Sequence, residues 1–178
     1  MDATTMTTPA IDRRHGSRFC RRIGAIAVTG ALSLGVIGPL TNHGDVDAAV
    51  SHPRRRVAAL VNARRIDHGL RPLRLVPAVH LAAQKHSRDQ ARMHLMTHTG
   101  SDGTSCGERL HREGYRWSTW GENVAMGYPT ARSVVRAWMH SAGHRANILN
   151  PRFRHVGVGL RRAADGTPYW TLDLARPG

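Results

Sequence analysis

Apolar residues recur at helical spacing soon after residue 50. Val57, Leu60 and Val61 share one face of a helix, behind a short basic segment, residues 51–56. Gly69 follows as a stop signal, because glycine accepts the left-handed backbone that often ends a helix. The pattern therefore predicts a first helix that ends at Gly69, with residues 51–56 as a basic linker or as the entrance of this helix.

A second helix is predicted to begin at Pro77, since proline suits the first helical position. It is expected to end near Met96 and to turn a set of small and apolar residues toward a core: Ala78, Leu81, Ala82, Ala91 and Leu95. Ser105 with Glu108 three residues later has the form of a capping box, which predicts a short helix ending at Gly114.

A further helix is expected after Thr130, whose hydroxyl can cap it. Its buried stripe would contain Val134, Val135, Trp138 and Met139. Gly143 is expected to end this helix.

The period changes from helical to alternating near the C-terminus. Apolar residues alternate at 156, 158 and 160 and again at 170, 172 and 174, and the turn signal Asp165-Gly166 lies between the two runs. This pattern predicts a β-hairpin. Helices followed by an antiparallel hairpin favour an α+β layered domain over a parallel βαβ sheet.

The first 49 residues have the pattern of a secretory signal peptide and its cleavage region. Five arginines precede an apolar run over residues 23–40, and the small-residue site Val46-Asp47-Ala48 follows. An uncleaved membrane anchor is the alternative, although glycines and Pro39 interrupt the run. Residues 1–49 are therefore interpreted as leader and residues 50–178 as one secreted domain, with the Sec and Tat routes both open.

Composition narrows the classes of partner. The 178-residue chain has a formal charge of +14 and a pI near 11.6, which favours anionic partners such as acidic cell-surface polymers or lipid headgroups. Nucleic acid is disfavoured, because the basic residues are scattered and only 5% of the chain is aromatic.

Cys20 lies in the leader, so Cys106 has no partner for an internal disulfide after cleavage. The oligomeric state stays open.

Three glycine-containing segments carry ionisable residues: His98-Thr99-Gly100-Ser101-Asp102-Gly103, Gly121-Glu122-Asn123-Val124-Ala125 and Gly143-His144-Arg145-Ala146-Asn147-Ile148-Leu149. Glycine permits close approach and unusual backbone angles. His98, Glu122 and His144 are therefore expected to meet in one cleft, contributed by three loops or element ends.

These segments, in this order and with Trp138-Met139 and Gly157-Val158-Gly159, resemble the CAP superfamily, also called SCP/TAPS, and its secreted bacterial branch in particular. The resemblance extends over roughly residues 57–174. It implies a three-layer α-β-α sandwich with a central antiparallel sheet.

In many members of that family, a cleft contains two histidines and two acidic residues that can bind a divalent cation. The resemblance places His98, Glu122 and His144 at three of these positions and Ser141 at the fourth, where other members have glutamate. A serine hydroxyl is a weak neutral ligand. The resemblance thus implies a cleft of His98, Glu122, Ser141 and His144, with Zn²⁺ or another divalent cation bound weakly by the two histidines and Glu122.

The function predicted from these observations is a secreted CAP-domain protein whose cleft binds a ligand or divalent cation, without a proven catalytic step. A hydrogen-bonded network of His98, Glu122 and His144 that ties loops to the sheet, or a weak metal site, is favoured over a catalytic metal. Two alternatives stay open. One is a metal-assisted or Ser141-dependent hydrolase of peptide or cell-wall substrates; the other is a protein that carries a small or lipid ligand between its helices.

Overall fold

The computed structural model describes residues 52–178, so the predicted leader and its cleavage region lie outside the described residues. Five helices and four strands follow one another in the described part: α1 (Pro53–Asp67), β1 (Arg74–Leu75), α2 (Pro77–Met93), α3 (Cys106–Arg112), β2 (Trp117–Met126), α4 (Ala131–His140), α5 (Ala142–Ile148), β3 (His155–Arg162) and β4 (Pro168–Pro177).

The four strands form one sheet in the order β1-β3-β4-β2. The predicted hairpin is confirmed: β3 and β4 pair antiparallel, with Val158 opposite Leu172. Strand β2 also pairs antiparallel with β4, whereas the two-residue strand β1 runs parallel to β3 at the edge. The centre of the sheet is therefore antiparallel, as the family resemblance implied.

Strand β4 is buried on both faces from Pro168 to Ala175. Its residues Trp170, Leu172 and Leu174 belong to the larger hydrophobic core, together with residues of α1 and α4. The opposite face contacts α2 and α3, where Val79, Ala82, Cys106, Leu110 and Ala175 form a second core. Helices thus cover both sides of the sheet, which gives the three-layer α-β-α sandwich.

Helix α2 lies directly on β3 because the strand has glycine where the helix backbone approaches. A Cβ built on Gly159 would lie 2.5 Å from the carbonyl carbon of Ala83, and one built on Gly157 would overlap the backbone of Val79. The absence of side chains at these two positions sets the distance between helix and sheet.

Both capping predictions are confirmed. The Ser105 hydroxyl accepts from the Glu108 amide while the Glu108 carboxylate accepts from the Ser105 amide, which starts α3. The Thr130 hydroxyl accepts from the Ser133 amide at 3.1 Å and starts α4. These local signals could be identified in sequence because capping depends on residues only three positions apart.

Three sequence predictions are corrected. Helix α2 ends at Met93 rather than near Met96, so Leu95 lies beyond the helix, and both Leu81 and Leu95 are exposed instead of facing the core. Gly143 does not end α4, because α4 already ends at His140 and Gly143 lies in the first turn of α5. Residues 121–125, expected in a loop or element end, lie inside strand β2.

Candidate functional site

Glu122 lies in the middle of β2, directly opposite Asp173 of β4. Side chains opposite one another in an antiparallel pair point to the same face, so the two carboxyl groups are neighbours. The Glu122 side chain is only 2% exposed. A buried carboxylate needs charged or hydrogen-bonding partners.

Each oxygen of the Glu122 carboxylate accepts a hydrogen bond. The Nδ1–H of His98 donates to Oε1 at 2.8 Å, and Nη2 of Arg109 donates to Oε2 at 2.6 Å. The ring of His86 lies slightly farther away, with its Nε2 3.9 Å from Oε2. The sequence prediction that His98 and Glu122 meet is therefore realised as a direct hydrogen bond.

Arg109, which sequence reasoning missed, connects Glu122 to the loop that carries His98. Its Nη1 also donates to the carbonyl oxygens of Thr104 at 2.7 Å and His98 at 3.1 Å. Its position in α3 could have identified it from the sequence, because Arg109 lies at helical spacing from Cys106 and Leu110, on the buried face of that helix. An arginine on such a face requires a buried acceptor.

His86 supports the same loop from α2. Its Nε2–H donates to the carbonyl of Thr97 at 2.8 Å, and the ring is almost fully buried. Burial lowers the pKa of His86 more than the nearby charge of Glu122 raises it, so the imidazole is neutral at pH 7. Arg109 thus supplies the fixed positive charge beside Glu122.

Two buried carboxyl groups whose pKa values are shifted in opposite directions lie side by side. Burial would raise the pKa of Glu122, but the hydrogen bond from His98 and the charge of Arg109 outweigh it and lower that pKa. Burial and the negative charge of Glu122 raise the pKa of Asp173 well above its ordinary value. Glu122 is therefore ionised at neutral pH, and Asp173 keeps its proton to a higher pH than an exposed aspartate does.

His144 lies in the first turn of α5, next to the predicted cleft. Its ring is half-buried, and burial followed by the charge of His98 lowers its pKa. Two amide side chains fix α5 to β2: Asn123 donates to the carbonyl of His144 at 3.0 Å, and Asn147 donates to the carbonyl of Glu122 at 3.2 Å. The structure thus fixes the first turn of α5, which carries His144, against strand β2 next to Glu122.

The predicted metal ligands do not form a closed set in this structure. Within residues 52–178, three potential ligand residues have side-chain ligand atoms that all lie within 4.8 Å of one another. They are Cys106, Glu122 and Asp173. That set is buried beside the Arg109 cation, and burial and Glu122 disfavour ionisation of Asp173, so the environment is unfavourable for a metal ion. The metal site of His98, Glu122 and His144 stays a prediction.

The fold and these motifs agree with the comparison with known families. The profile described as "CAP: Cysteine-rich secretory protein family" matches residues 58–174, which include His98, Glu122, Ser141 and His144. The chain belongs to the CAP family.

Two similar proteins of this family come from Bacillus species. The chain is 38% identical over 127 residues to the uncharacterized protein YkwD of Bacillus subtilis, covering 71% of this chain and 48% of YkwD. An extracellular protein of Bacillus anthracis containing an SCP domain has 28% identity and a TM-score of 0.65, over 79% of this chain and 45% of that chain. This chain therefore spans about half the length of these two relatives.

An outer surface protein of Borrelia burgdorferi supports the fold alone, with 18% identity and a TM-score of 0.67 over 72% of this chain and 96% of that chain. Within residues 52–178 of the CAP domain, no helix combines the length and apolar character needed to cross a membrane.

Ser141, the fourth predicted cleft residue, lies at the junction between α4 and α5. It is the C-cap residue of α4 and the N-cap residue of α5. Its carbonyl oxygen accepts a hydrogen bond from the Arg145 amide at 2.8 Å. The carboxylate of Glu122 is directed to His98 and Arg109 rather than to His144. A serine–histidine–carboxylate arrangement of Ser141, His144 and Glu122 is therefore not assembled in the described residues.

Replacing Asp173 by asparagine is expected to flatten the dependence of stability on pH. In the wild type, the raised pKa of Asp173 means that the folded state keeps a proton that the unfolded chain releases above about pH 4. Its contribution to the free energy of unfolding is thus complete at low pH. It falls as the pH rises toward the folded pKa, by up to about 1.4 kcal/mol per pH unit.

Urea unfolding of wild type and Asp173→Asn from pH 5 to 9 measures this effect. The variant keeps Glu122, whose lowered pKa has the opposite effect. The ionised Glu122 carboxylate stabilises the folded state, and this stabilisation disappears as the pH falls below about 4. The difference between the two curves should grow in favour of the variant as the pH rises. Parallel curves would mean that Asp173 is ionised in the folded protein.

Proposed function

We propose that this chain is a secreted, non-catalytic binding protein whose cleft holds a divalent cation or a small ligand through His98 and His144. The observation that carries the proposal is the buried carboxylate of Glu122, both of whose oxygens are engaged by His98 and Arg109. The carboxylate is only 2% exposed and is directed at His98 and Arg109 rather than into the cleft. Its role is to position His98.

The hydrogen bond to Glu122 decides which nitrogen His98 presents to a ligand. Because Nδ1–H donates to the carboxylate, Nε2 of the same ring is left for the cleft, and the His98 side chain is 59% exposed. A carboxylate behind a histidine fixes the ring orientation and tautomer of metal-binding histidines in general. This arrangement supports a ligand contact through Nε2 of His98.

His144 completes the proposed contact. Its lowered pKa leaves the ring unprotonated at neutral pH, and an unprotonated imidazole is a ligand for Zn²⁺ and similar borderline cations. Two imidazoles without a carboxylate make a weaker site than a complete set of three or four ligands. Ser141 at the fourth position is consistent with such weak binding.

Secretion is part of the proposal. It is supported by the leader pattern in residues 1–49 and by the relatives, which include an extracellular protein of Bacillus anthracis. Because the chain spans only about half of its bacterial relatives, the proposal concerns the CAP domain and not their additional regions.

Zinc titration by calorimetry tests the cleft. The wild type is expected to bind Zn²⁺ weakly, and the His98→Ala/His144→Ala double variant to lose at least about tenfold in affinity. His140→Ala is the matched control, because His140 is an exposed imidazole only four residues before His144. This control should bind as the wild type does.

Nitrogen-15 NMR of the histidine rings identifies the contact directly. The proposal expects zinc to shift Nε2 of His98 and one nitrogen of His144, while Nδ1 of His98 keeps its proton and its bond to Glu122. Equal and negligible zinc binding by wild type and double variant would remove the cation from the proposal. Loss of the Nδ1 proton on binding would contradict the positioning role of Glu122.

A further inference from the structure

A second surface, the α4 groove, lies along the exposed side of helix α4. Its cavity volume is about 550 Å³, and it is lined by Tyr128, Thr130, Arg132, Ser133, Arg136, Ala137 and His140. Three of these residues are basic, and none of the lining residues is acidic. The groove thus carries positive charge that no acidic lining residue offsets.

The basic residues of the α4 groove are regularly spaced. Arg132, Arg136 and His140 follow one another at intervals of four positions within the helix Ala131–His140, and all three are exposed. Residues four apart lie on one helix face, and each step advances about 6 Å along the axis. The groove therefore presents two guanidinium donors and one imidazole in a row.

The two arginines are available for a ligand. Elsewhere on the surface, Arg112 is paired with Asp102. Among the ion pairs of residues 52–178, neither Arg132 nor Arg136 has a carboxylate partner. His140 donates its Nδ1–H to the Arg136 carbonyl at 2.7 Å, so the two arginines are the phosphate donors of the groove.

We propose that the α4 groove binds a linear phosphodiester polymer that carries no bases, such as a glycerol-phosphate chain. Arginine suits this partner because its planar guanidinium can donate two parallel hydrogen bonds to one phosphate. A glycerol-phosphate chain has about six backbone bonds per repeat, as two residues of extended polypeptide do, and spans roughly 7 Å per repeat. Successive phosphates can therefore meet successive basic residues of the helix.

Nucleic acid has a similar phosphate spacing, but proteins that bind it usually contact its bases as well as its phosphates. Proteins that bind single strands without sequence preference usually add aromatic side chains on which bases stack. The α4 groove has one aromatic residue, Tyr128, and it is half-buried. The lining therefore suits the phosphates of a polymer better than its bases.

Fluorescence anisotropy with a labelled glycerol-phosphate decamer and the full chain tests the proposal. The Arg132→Gln/Arg136→Gln variant is expected to bind roughly tenfold more weakly than wild type at low salt. Each lost phosphate contact should also lower the slope of log affinity against log salt by about 0.7, hence by about 1.4 for the pair. Both substitutions lie at exposed helix positions, and a thermal melt confirms that the variant is folded.

The matched control is Arg88→Gln/Arg161→Gln, which removes the same charge from exposed positions on α2 and β3, outside the α4 groove. Affinity within about twofold of wild type in this control supports a specific groove. An equal loss in both variants would overturn the proposal in favour of general attraction to the basic chain. Tighter binding of an oligothymidylate of equal length, or of anionic phosphatidylglycerol vesicles, would overturn it in favour of nucleic acid or a lipid surface.

Discussion

Replacing Gly159 by alanine is expected to prevent the domain from folding or to lower its free energy of unfolding by about 3 kcal/mol or more. The added Cβ would lie 2.5 Å from the carbonyl carbon of Ala83 and closer still to its oxygen. That contact is with helix backbone, which cannot rotate away as a side chain can. Helix α2 would have to move off β3 and lose buried contacts along its length.

Gly143→Ala is the matched control for this prediction. Gly143 is a helical glycine with no heavy atom within 4 Å of a built Cβ, so alanine should be neutral or stabilise by up to about 1 kcal/mol. Urea unfolding of the two variants provides the comparison. A Gly159→Ala protein as stable as wild type would show that α2 does not lie directly on the strand.

Replacing Arg109 by methionine is expected to lower the free energy of unfolding by roughly 3–5 kcal/mol, because it leaves the buried Glu122 carboxylate without its cation. Two carbonyl oxygens of the His98 loop would lose their donor at the same time. Methionine keeps most of the side-chain volume, so the effect reports the lost charge and hydrogen bonds rather than a cavity.

Arg112→Gln controls for the loss of an arginine from the same short helix. Arg112 pairs with Asp102 at the solvent-exposed surface, where an ion pair contributes little. Its thermal midpoint should stay close to that of wild type, whereas the Arg109→Met midpoint should fall by many degrees. Similar midpoints for the two variants would show that Arg109 is not the cation that neutralises Glu122.

The sequence was sufficient for elements that depend on neighbours along the chain. The caps at Ser105 and Thr130, the helix start at Pro77 and the terminal hairpin are all present in the structure. Each depends on residues a few positions apart, so the signal is local. The meeting of His98 with Glu122 was also expected, although through the family resemblance and the shared glycine context rather than through spacing.

Strand β2 was not predicted because its inner part does not alternate. Glu122 and Asn123 are consecutive polar residues, yet both are buried, since β2 pairs with β4 under helices on both sides. A strand buried on both faces loses the period of two that identifies a half-exposed strand. The segment therefore resembled a polar loop.

Asp173 was missed for a related reason. It alternates with Leu172 and Leu174, and a polar residue at that position in a hairpin strand ordinarily faces solvent. Here that face is covered by α2 and α3, so Asp173 is fully buried next to Glu122. Only the tertiary arrangement shows that the polar side of β4 is an interior surface.

The measurement that tests the central claim most directly is a high-resolution crystal structure of the protein soaked with Zn²⁺. The account predicts that Glu122 keeps its bonds to His98 Nδ1 and Arg109, as in the present structure at 2.8 and 2.6 Å, and that any ion contacts Nε2 of His98 and the ring of His144. A carboxylate oxygen of Glu122 at zinc-bonding distance, about 2.0–2.2 Å, would contradict it.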